Sequence, residues 1–209
     1  MATPEIVYIH DGRNKFEHAL KRCLDFCIAA ISMIVFSPLY LICYIAIKIE
    51  DGGAAIFCQE RIGRNGKPFN IYKFRSMVID AEKDGAALFQ HENENRLTRV
   101  GRFLREHHLD ELPQFWNVVK GDMALIGPRP ERKYFIDLIM EQDPRYEYLY
   151  QIRPGVTSYA TLYNGYTDTM EKMLRRLELD LYYLEHGSLW LDMKILLLTF
   201  LSIVFGKKF

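Results

Sequence analysis

Two adjacent carboxylates, Asp110 and Glu111, are the residues of this sequence whose types and spacing most directly predict chemistry. They precede Pro113, a residue type that favours the first turn of a helix, so both carboxylates are predicted to lie at a helix N-terminus. The backbone N–H groups and the dipole of such a terminus stabilise a carboxylate and attract phosphate. Asp110 is also a good N-cap residue, so capping without chemistry is an alternative explanation of the pair.

Cationic side chains stand on both sides of this carboxylate pair. Between Arg96 and Arg105 an arginine recurs at every third position, which on a helix forms a basic stripe. After the pair, Arg129 lies between two prolines. Planar guanidinium groups match phosphate oxygens in pairs, so the arrangement favours phosphate binding. A solvated helix face would explain the stripe equally well.

A third basic cluster lies in residues 71–77, which alternate as a β-strand does. The alternation places Lys73 and Arg75 on one face and aromatic residues on the other. The Asn-Gly pair at 65–66 is the strongest short-range hairpin signal, and residues 55–62 are the predicted partner strand. An edge strand protected by its charges is the alternative to a functional role.

The apolar segment 26–47 contains no charged residue and is long enough, as a straight helix, to cross a bilayer core. Ser37 and Pro38 lie at its middle, where proline favours a kink. Basic residues flank both ends, so the positive-inside rule gives no direction for a crossing. A kinked span and a helix that enters and leaves one leaflet both remain open. A signal peptide is disfavoured because the run is long and follows a polar leader.

Two further segments have helical patterns near the C-terminus. From Thr169 to a stop at Gly187, apolar residues repeat at helical spacing, which favours a helix packed on the core. Residues 195–205 are strongly apolar but too short to span a membrane, and two lysines follow them. This last segment is predicted to lie at the lipid interface, with a buried core helix as the alternative.

Composition excludes several classes of protein. The 209 residues amount to one domain, large enough to bury a core without disulfides or metals. Lys and Arg number 27 and so do Asp and Glu, so no global field recruits nucleic acid and nucleic-acid binding is disfavoured. The four cysteines form no CxxC pair and are expected to be reduced and structural, not zinc ligands.

With these residues in view, the sequence resembles the small monotopic phosphoglycosyl transferases, also called the bacterial sugar transferase family. The motifs occur in family order over nearly the whole chain, at residues 21–25, 73–77, 109–114, 121–122, 127–130, 153–157, 181–183 and 188–192. The resemblance implies transfer of a sugar phosphate from a UDP-sugar to polyprenyl (undecaprenyl) phosphate, with release of UMP. Such a reaction would initiate the assembly of a surface glycan or glycoconjugate.

The resemblance also implies roles for particular residues. Asp110 would be the nucleophile that forms a phosphoryl-aspartate intermediate. Mg²⁺ would be held by Glu111 together with Asp110 and would neutralise the diphosphate oxygens. The implied phosphate-binding and nucleotide-binding residues are Lys73, Arg75, Arg105, Arg129 and Arg153.

The predicted fold class is α+β, mostly helical with a small β-hairpin, plus an N-terminal broken membrane helix. We expect a leader at residues 1–20, a re-entrant membrane helix at 21–50 that breaks at Ser37 and Pro38, and a cytoplasmic catalytic domain at 51–209 that ends in an interfacial helix. The expected location is the bacterial inner membrane, with the active site on its cytoplasmic face. The expected partners are a UDP-sugar, undecaprenyl phosphate and membrane lipid, with a second copy of the chain left open.

The sequence departs from the commoner family pattern at residues 157–166, where a tyrosine-rich run replaces a run with Gly, Trp and Gln. These tyrosines could stack on a sugar or uracil face or pack in the core, so the sugar stays unassigned. Two other classes remain open. A glycosyltransferase that releases UDP would usually carry an Asp-x-Asp motif, which this sequence lacks. A non-catalytic membrane scaffold would not need Asp110 beside Glu111.

Overall fold

The structure is a computed structural model, and it describes residues 8–79, 96–165 and 167–205. Three of the segments considered above therefore lie partly outside the described residues, namely the first seven residues of the leader, Tyr166 in the tyrosine-rich run, and the basic C-terminus 206–209. The Glu- and Asn-rich stretch 81–95, for which the sequence predicts a loop near the site, lies wholly outside them.

The described chain is mostly helical and contains two small sheets. The sequence predicted the high helical content and the hairpin that forms one of these sheets. The α-helices and strands follow one another along the chain as α1 (Lys15–Val35), α2 (Ser37–Asp51), β1 (Ile56–Ile62), β2 (Pro68–Phe74), α3 (Arg99–Glu106), α4 (Gln114–Lys120), β3 (Ala124–Ile126), α5 (Lys133–Gln142), β4 (Gly155–Thr157), α6 (Tyr159–Asn164), α7 (Met170–Glu185) and α8 (Leu189–Val204). Short 3₁₀ helices at Arg64–Gly66, Leu109–Glu111 and Pro144–Gln151 connect some of these elements.

Helices α1 and α2 form a bent pair that breaks between Val35 and Ser37. The axes differ by 62°, because Pro38 stands in the first turn of α2 and has no backbone N–H to continue the α1 ladder. The Ser37 hydroxyl donates to the Ile34 carbonyl at 2.8 Å, which satisfies one of the carbonyls that the break frees. By length and apolar composition, no single helix in the described ranges could cross a membrane, whereas this bent pair taken together could.

Residues 8–14 pack on the last two helices, α7 and α8, and α1 begins at Lys15, within the segment that the sequence assigned to the leader. The Gly12 N–H donates to the Leu184 carbonyl at 2.9 Å. A Cβ at Gly12 would stand 2.0 Å from the Glu185 carbonyl oxygen, so only glycine allows this approach. Arg13 is buried and pairs with Asp192 of α8 at 2.8 Å.

The predicted hairpin is confirmed. Strands β1 and β2 pair antiparallel, from Ile56 opposite Phe74 to Ile62 opposite Pro68. Asn65 and Gly66 both have positive φ, 60° and 67°, which is the conformation for which Asn-Gly is favoured in hairpin turns. A second sheet, formed by β3 and β4 in parallel, was not predicted from the sequence.

Two apolar clusters hold the described elements together. The larger one includes residues of α5, α7, α8 and β3, among them Ile136, Leu184 and Ile195. In α7 the predicted apolar face is buried at Leu177 and Leu181, which confirms the core-facing helix from Thr169 onward. The smaller cluster consists of Cys43, Ile47, Ala55, Phe74 and Leu104, with Leu39, Tyr40, Val100, Leu109 and Leu112 packed against it. It joins α2, the end of β2 and α3 beneath the Leu109–Glu111 turn.

Helix α8 is partly buried, as the core-helix alternative for the C-terminal segment predicted, and partly exposed. Ile195 is 1% exposed and belongs to the larger core. Leu197, Phe200 and Phe205 are 57%, 63% and 72% exposed. One face of the helix therefore packs on the core, and the rest presents large apolar side chains outward.

Candidate active site

The carboxylate pair lies on the 3₁₀ turn Leu109–Glu111, which leads into α4. His108 starts this turn in the left-handed region with φ 55°. The position differs in detail from the predicted helix N-terminus, because α4 begins only at Gln114 and Pro113 occupies its N-cap position without a side-chain cap. Asp110 therefore does not cap α4, which removes the simple capping explanation for this residue.

Glu111 is held by two cations from distant parts of the chain. Its Oε1 atom accepts from Lys73 Nζ at 2.6 Å and from Arg129 Nη2 at 3.1 Å. Lys73 comes from β2, and Arg129 comes from the Gly-Pro-Arg-Pro loop after β3. The fold thus brings three of the predicted site residues into direct contact.

Asp110 has a different environment, although it is the neighbouring residue. It is only 7% exposed, and within the described residues no hydrogen bond to its carboxylate is present. Burial raises the pKa of Asp110, and the charge of Lys73 opposes this shift while the charge of Glu111 adds to it. Arg105 and Arg129 lower the pKa further, but burial prevails.

The pKa of Glu111 moves in the opposite direction. Burial of the carboxyl group alone would raise this pKa, but the charges and hydrogen bonds of Lys73 and Arg129 hold it well below its usual range. Glu111 in turn raises the pKa of Arg129. Two adjacent carboxylates with pKa values pushed apart are a recurrent property of catalytic pairs, in which each group has its own task.

Arg105 reaches the site from α3, where it is one of the residues of the predicted basic stripe. Its Nε atom donates to the Ser76 hydroxyl at 2.9 Å. Gly101 allows α3 to lie this close to residue 76, because a Cβ there would stand 2.0 Å from the Ser76 carbonyl oxygen. Arg105 is near enough to Asp110 for its charge to lower the pKa of that carboxyl group.

Two other predicted site residues lie apart from the carboxylate pair in the described structure. Arg75 follows the end of β2 and pairs with Asp51 at the C-terminus of α2. Arg153 donates from Nε to the Gly121 carbonyl at 2.8 Å and lines a cleft with Arg22 and Arg64. Burial lowers the pKa of Arg153, and the charges of Arg64 and Arg22 lower it further. The fold therefore gathers Lys73, Arg105 and Arg129 around the pair, but not these two.

Two polar residues of α4 were not identified from the sequence. Asn117 is fully buried, and its side chain accepts from the Tyr72 N–H at 3.1 Å and donates to the Asn70 carbonyl at 2.7 Å. Gln114 is 2% exposed, and its Nε2 atom has no partner among the described residues. Polar residues three apart in an apolar segment were the available sequence signal. Asn117 fixes α4 against β2, the strand that carries Lys73.

A further buried network lies next to Arg129. Glu131 contacts Arg61 at 3.5 Å and Arg176 at 2.5 Å. Burial lowers the pKa of Arg61 to about 10, although Glu131 opposes the shift. Asp180 is buried beside Arg176, and burial raises its pKa to about 8. These residues support the loop from which Arg129 reaches Glu111.

The carboxylate pair fits Mg²⁺ by the chemistry of its oxygen atoms. Mg²⁺ is commonly bound by one or two carboxylates and completes its shell with water and substrate phosphates. Asp110 and Glu111 supply such a pair, and Oε1 of Glu111 is shared by two cations. Within the described ranges, no group of three or more His, Cys, Asp or Glu side chains is placed to hold a metal on its own.

Comparison with known proteins shows which family the chain resembles. A family model described as bacterial sugar transferase matches residues 16–206. A UDP-glucose:undecaprenyl-phosphate glucose-1-phosphate transferase of Caulobacter vibrioides is 43% identical over 187 residues, which cover 88% of this chain and 69% of that protein.

Two longer relatives have related names. A UDP-N-acetylgalactosamine-undecaprenyl-phosphate N-acetylgalactosaminephosphotransferase of Aeromonas hydrophila is 42% identical over 90% of this chain. A UDP-glucose:undecaprenyl-phosphate glucose-1-phosphate transferase of Klebsiella pneumoniae is 39% identical over 94% of it. The chain spans 44% and 42% of the lengths of these two proteins.

Proposed function

The chain belongs to the bacterial sugar transferase family, and from this premise we propose that it transfers a sugar phosphate from a UDP-sugar to undecaprenyl phosphate and releases UMP. The observation that carries the proposal is the unequal pairing of the two carboxylates. Glu111 is bound by Lys73 and Arg129, whereas Asp110 lies beside it without a hydrogen-bond partner in the described structure. The names of the relatives support a UDP-sugar as donor and undecaprenyl phosphate as acceptor.

Asp110 is the proposed nucleophile. Its carboxylate oxygen attacks the sugar-proximal phosphorus, an O–P bond forms, and the bond to the UMP oxygen breaks. An oxygen of the lipid phosphate then attacks the same phosphorus and breaks the bond to Asp110, which restores the carboxylate. The raised pKa of Asp110 supports this role, because a more basic carboxylate oxygen that is not held in an ion pair is the better nucleophile.

The surrounding cations make the approach of two anions feasible. A carboxylate repels a diphosphate unless nearby positive charge neutralises the phosphate oxygens. Lys73, Arg105 and Arg129 supply fixed charges near the pair, and such preorganised groups stabilise a transferring phosphoryl group. Arg75 and Arg153 stay in the proposal as phosphate-binding and nucleotide-binding candidates, although each has another partner in the described structure.

Mg²⁺ remains part of the proposal as the cofactor. Glu111, together with Asp110, would hold the ion, and bound Mg²⁺ supplies positive charge at the diphosphate oxygens. Lys73 and Arg129 orient the Glu111 carboxylate for this task, because they fix its Oε1 atom. The hydrogen bond to Ser76 fixes the position of Arg105, whose positive charge acts on Asp110.

We propose a re-entrant membrane position for the bent pair α1 and α2, with the break at Ser37 and Pro38 inside one leaflet. The outward apolar side chains near the break support this, since Ile31, Ile34, Leu41 and Ile42 are each 59–74% exposed. The exposed face of α8 would contact the same interface. The carboxylate pair would then lie at the cytoplasmic surface of the bacterial inner membrane, where a lipid phosphate and a soluble nucleotide-sugar can meet.

The test is release of UMP by the purified protein in detergent, with a panel of UDP-sugars and Mg²⁺, with and without undecaprenyl phosphate. We expect release that requires Asp110, and the matched control is Asp137→Asn on the exposed face of α5, where the carboxylate pairs only with Lys133. Release of UDP would contradict the proposed chemistry and favour a glycosyltransferase. Full activity in Asp110→Asn would contradict the assigned nucleophile. Absence of turnover with every donor, from folded protein, would favour the scaffold.

A further inference from the structure

The second arm of the bent pair, α2, contacts the residue that ends the 3₁₀ turn Leu109–Glu111, which we call the catalytic turn. Tyr40, three residues after the break, donates its hydroxyl proton to the carbonyl oxygen of Leu112. Leu112 immediately follows Glu111. The Tyr40 ring also packs edge-on against Phe74, with 5.7 Å between ring centroids, and Phe74 follows Lys73 in β2. One side chain of α2 therefore touches both segments that carry the ion pair of Glu111.

The surroundings of this hydrogen bond are apolar. Leu39, Leu109 and Leu112 pack with Phe74 on the smaller core cluster. A hydrogen bond in such a low-dielectric environment is stronger than one in water, and its loss leaves a carbonyl without a partner. Tyr40 is therefore well placed to fix the position of Leu112.

The first arm of the bent pair contacts the other end of the same helix. Arg22 of α1 donates from Nη1 to the Val118 carbonyl at 2.6 Å and from Nη2 to the Val119 carbonyl at 2.9 Å. These carbonyls belong to the last turn of α4, where a cation also interacts favourably with the helix dipole. Gly121 ends the helix with φ 92°, and a Cβ there would stand 3.3 Å from Arg22 Nη2.

Helix α4 is only seven residues long and begins at Gln114, three residues after Glu111. A displacement of either end therefore moves Asp110 and Glu111 relative to Lys73. The hydrogen bonds from Tyr40 to Leu112 and from Arg22 to Val118 and Val119 hold α4 at both ends, and we call these contacts the clamp. Both donors come from the bent pair, which exposes large apolar side chains near its break.

We propose that the clamp makes Tyr40 and Arg22 positioning residues for the proposed phosphoryl transfer, and that it couples the seating of the bent helix pair in the lipid surface to the geometry of the catalytic turn. This inference rests on the proposed function for its kinetic consequence. Its structural consequence, a fixed α4, does not depend on that function. The two can therefore be tested separately in one set of variants.

The first experiment compares Tyr40→Phe with Tyr44→Phe. Both changes remove one hydroxyl group from α2, but Tyr44 is 45% exposed and its ring lies near Lys48, away from the catalytic turn. We expect Tyr40→Phe to lower kcat for UMP release about tenfold with KM for the UDP-sugar changed less than about twofold, because the donor still binds while the nucleophile is misplaced. Tyr44→Phe should retain wild-type kcat and KM.

The second experiment measures hydrogen exchange by mass spectrometry in peptides that cover residues 109–121, on full-length protein in nanodiscs. We expect faster exchange in Tyr40→Phe, and also in Arg22→Lys, which keeps the charge but loses the fork that reaches two carbonyls. Tyr44→Phe should match the wild type. Arg22→Lys also serves as the second variant if Tyr40→Phe fails to fold.

The outcomes separate the two proposals. Wild-type kcat in both clamp variants, or unchanged exchange at residues 109–121, would overturn the clamp while leaving the proposed function intact. A rise in KM at constant kcat would overturn the positioning role, since it would assign Tyr40 to substrate binding. Faster exchange together with no UMP release from the wild type would support the clamp and overturn the proposed function.

Discussion

The molecule contains two clusters of charged side chains, one buried and one only partly buried, and their carboxylates differ in the contacts that they make. In one, Arg13 of the N-terminal segment, Tyr183 of α7 and Asp192 of α8 contact one another at 2.6–2.9 Å. In the other, Lys73 and Arg129 bind Glu111, while Asp110 has no hydrogen bond within the described structure. Asp110 and Asp192 are similarly buried, at 7% and 6% exposure, so burial alone does not distinguish the proposed catalytic carboxylate from a structural one.

The second cluster concentrates positive charge around its carboxylates. The charges of Lys73, Arg105 and Arg129 all act on Asp110, and Glu131 as well as Glu111 acts on Arg129. In the first cluster Arg13 and Lys21 face Asp192 and Asp25. Clustered guanidinium and ammonium groups suit the phosphate oxygens of the proposed substrate.

Asp110→Asn should have the largest effect on activity. We expect UMP release to fall by about 10³-fold or more, because the amide cannot act as the nucleophile. Stability at neutral pH should rise slightly. Burial raises the pKa of Asp110, so the ionised carboxylate destabilises the fold above the pKa of the unfolded chain, and Asn removes that penalty. Activity assays and thermal unfolding check both parts, and a marked loss of stability would contradict the contrast between the clusters.

Asp192→Asn should show the reverse pattern. The change leaves Arg13 buried without its carboxylate, and we expect a loss of about 3 kcal/mol in the free energy of unfolding. Activity per folded molecule should change by less than about threefold, since Asp192 contacts no residue of the catalytic turn. Denaturant unfolding and active-site titration provide the measurements. A large drop in the kcat of fully folded protein would contradict the distinction between the Asp192 cluster and the Asp110–Glu111 cluster.

Lys73→Met should lower kcat about 10²-fold, because it removes a fixed charge near the transferring phosphoryl group and releases one side of Glu111. The matched control is Lys133→Met, since Lys133 pairs with an exposed carboxylate on α5 and should be dispensable. Steady-state kinetics at saturating Mg²⁺ test this. Equal effects of the two variants would show that the ion pair of Glu111 is structural, like that of Asp192.

The pH dependence should show a smaller but diagnostic effect. Activity should be lost as the pH falls through the pKa of Asp110, because protonation removes the nucleophile, and this loss forms the acid limb of the profile. Lys73 lowers the pKa of Asp110, so Lys73→Met should move the limb to higher pH. The profile of kcat/KM measures this, and a limb that stays in place would contradict the assigned electrostatics.

Local features of the fold were predictable from short stretches of sequence. The pair Asn65 and Gly66 predicted the turn of the hairpin. Thr169 and the apolar repeat after it predicted where α7 begins and which of its faces is buried. Pro38 gave the break between α1 and α2. Each of these depends on the φ preference of one residue or on the periodicity of one element. The parallel pairing of β3 with β4 has no such local signal, and it was missed.

The sequence predicted a set of candidate site residues but not their contacts. Lys73, Arg105 and Arg129 gather at the carboxylate pair, whereas Arg75, two residues from Lys73, pairs with Asp51. The strand alternation placed Lys73 and Arg75 on one face. It did not reveal that β2 ends at Phe74 and that the chain then turns toward α2.

The sequence by itself determined the types and order of the functional residues and most of the helices and turns, because these depend on side chains within a few positions of one another. Only the tertiary structure decided that Glu111 binds Lys73 and Arg129, 38 and 18 residues away, while the Asp110 carboxylate makes no hydrogen bond within the described residues. It also decided that Tyr40, 72 residues from Leu112, reaches the catalytic turn. Pairing over such distances depends on how packed elements exclude water and leave each buried polar group with one set of neighbours, which no local pattern specifies.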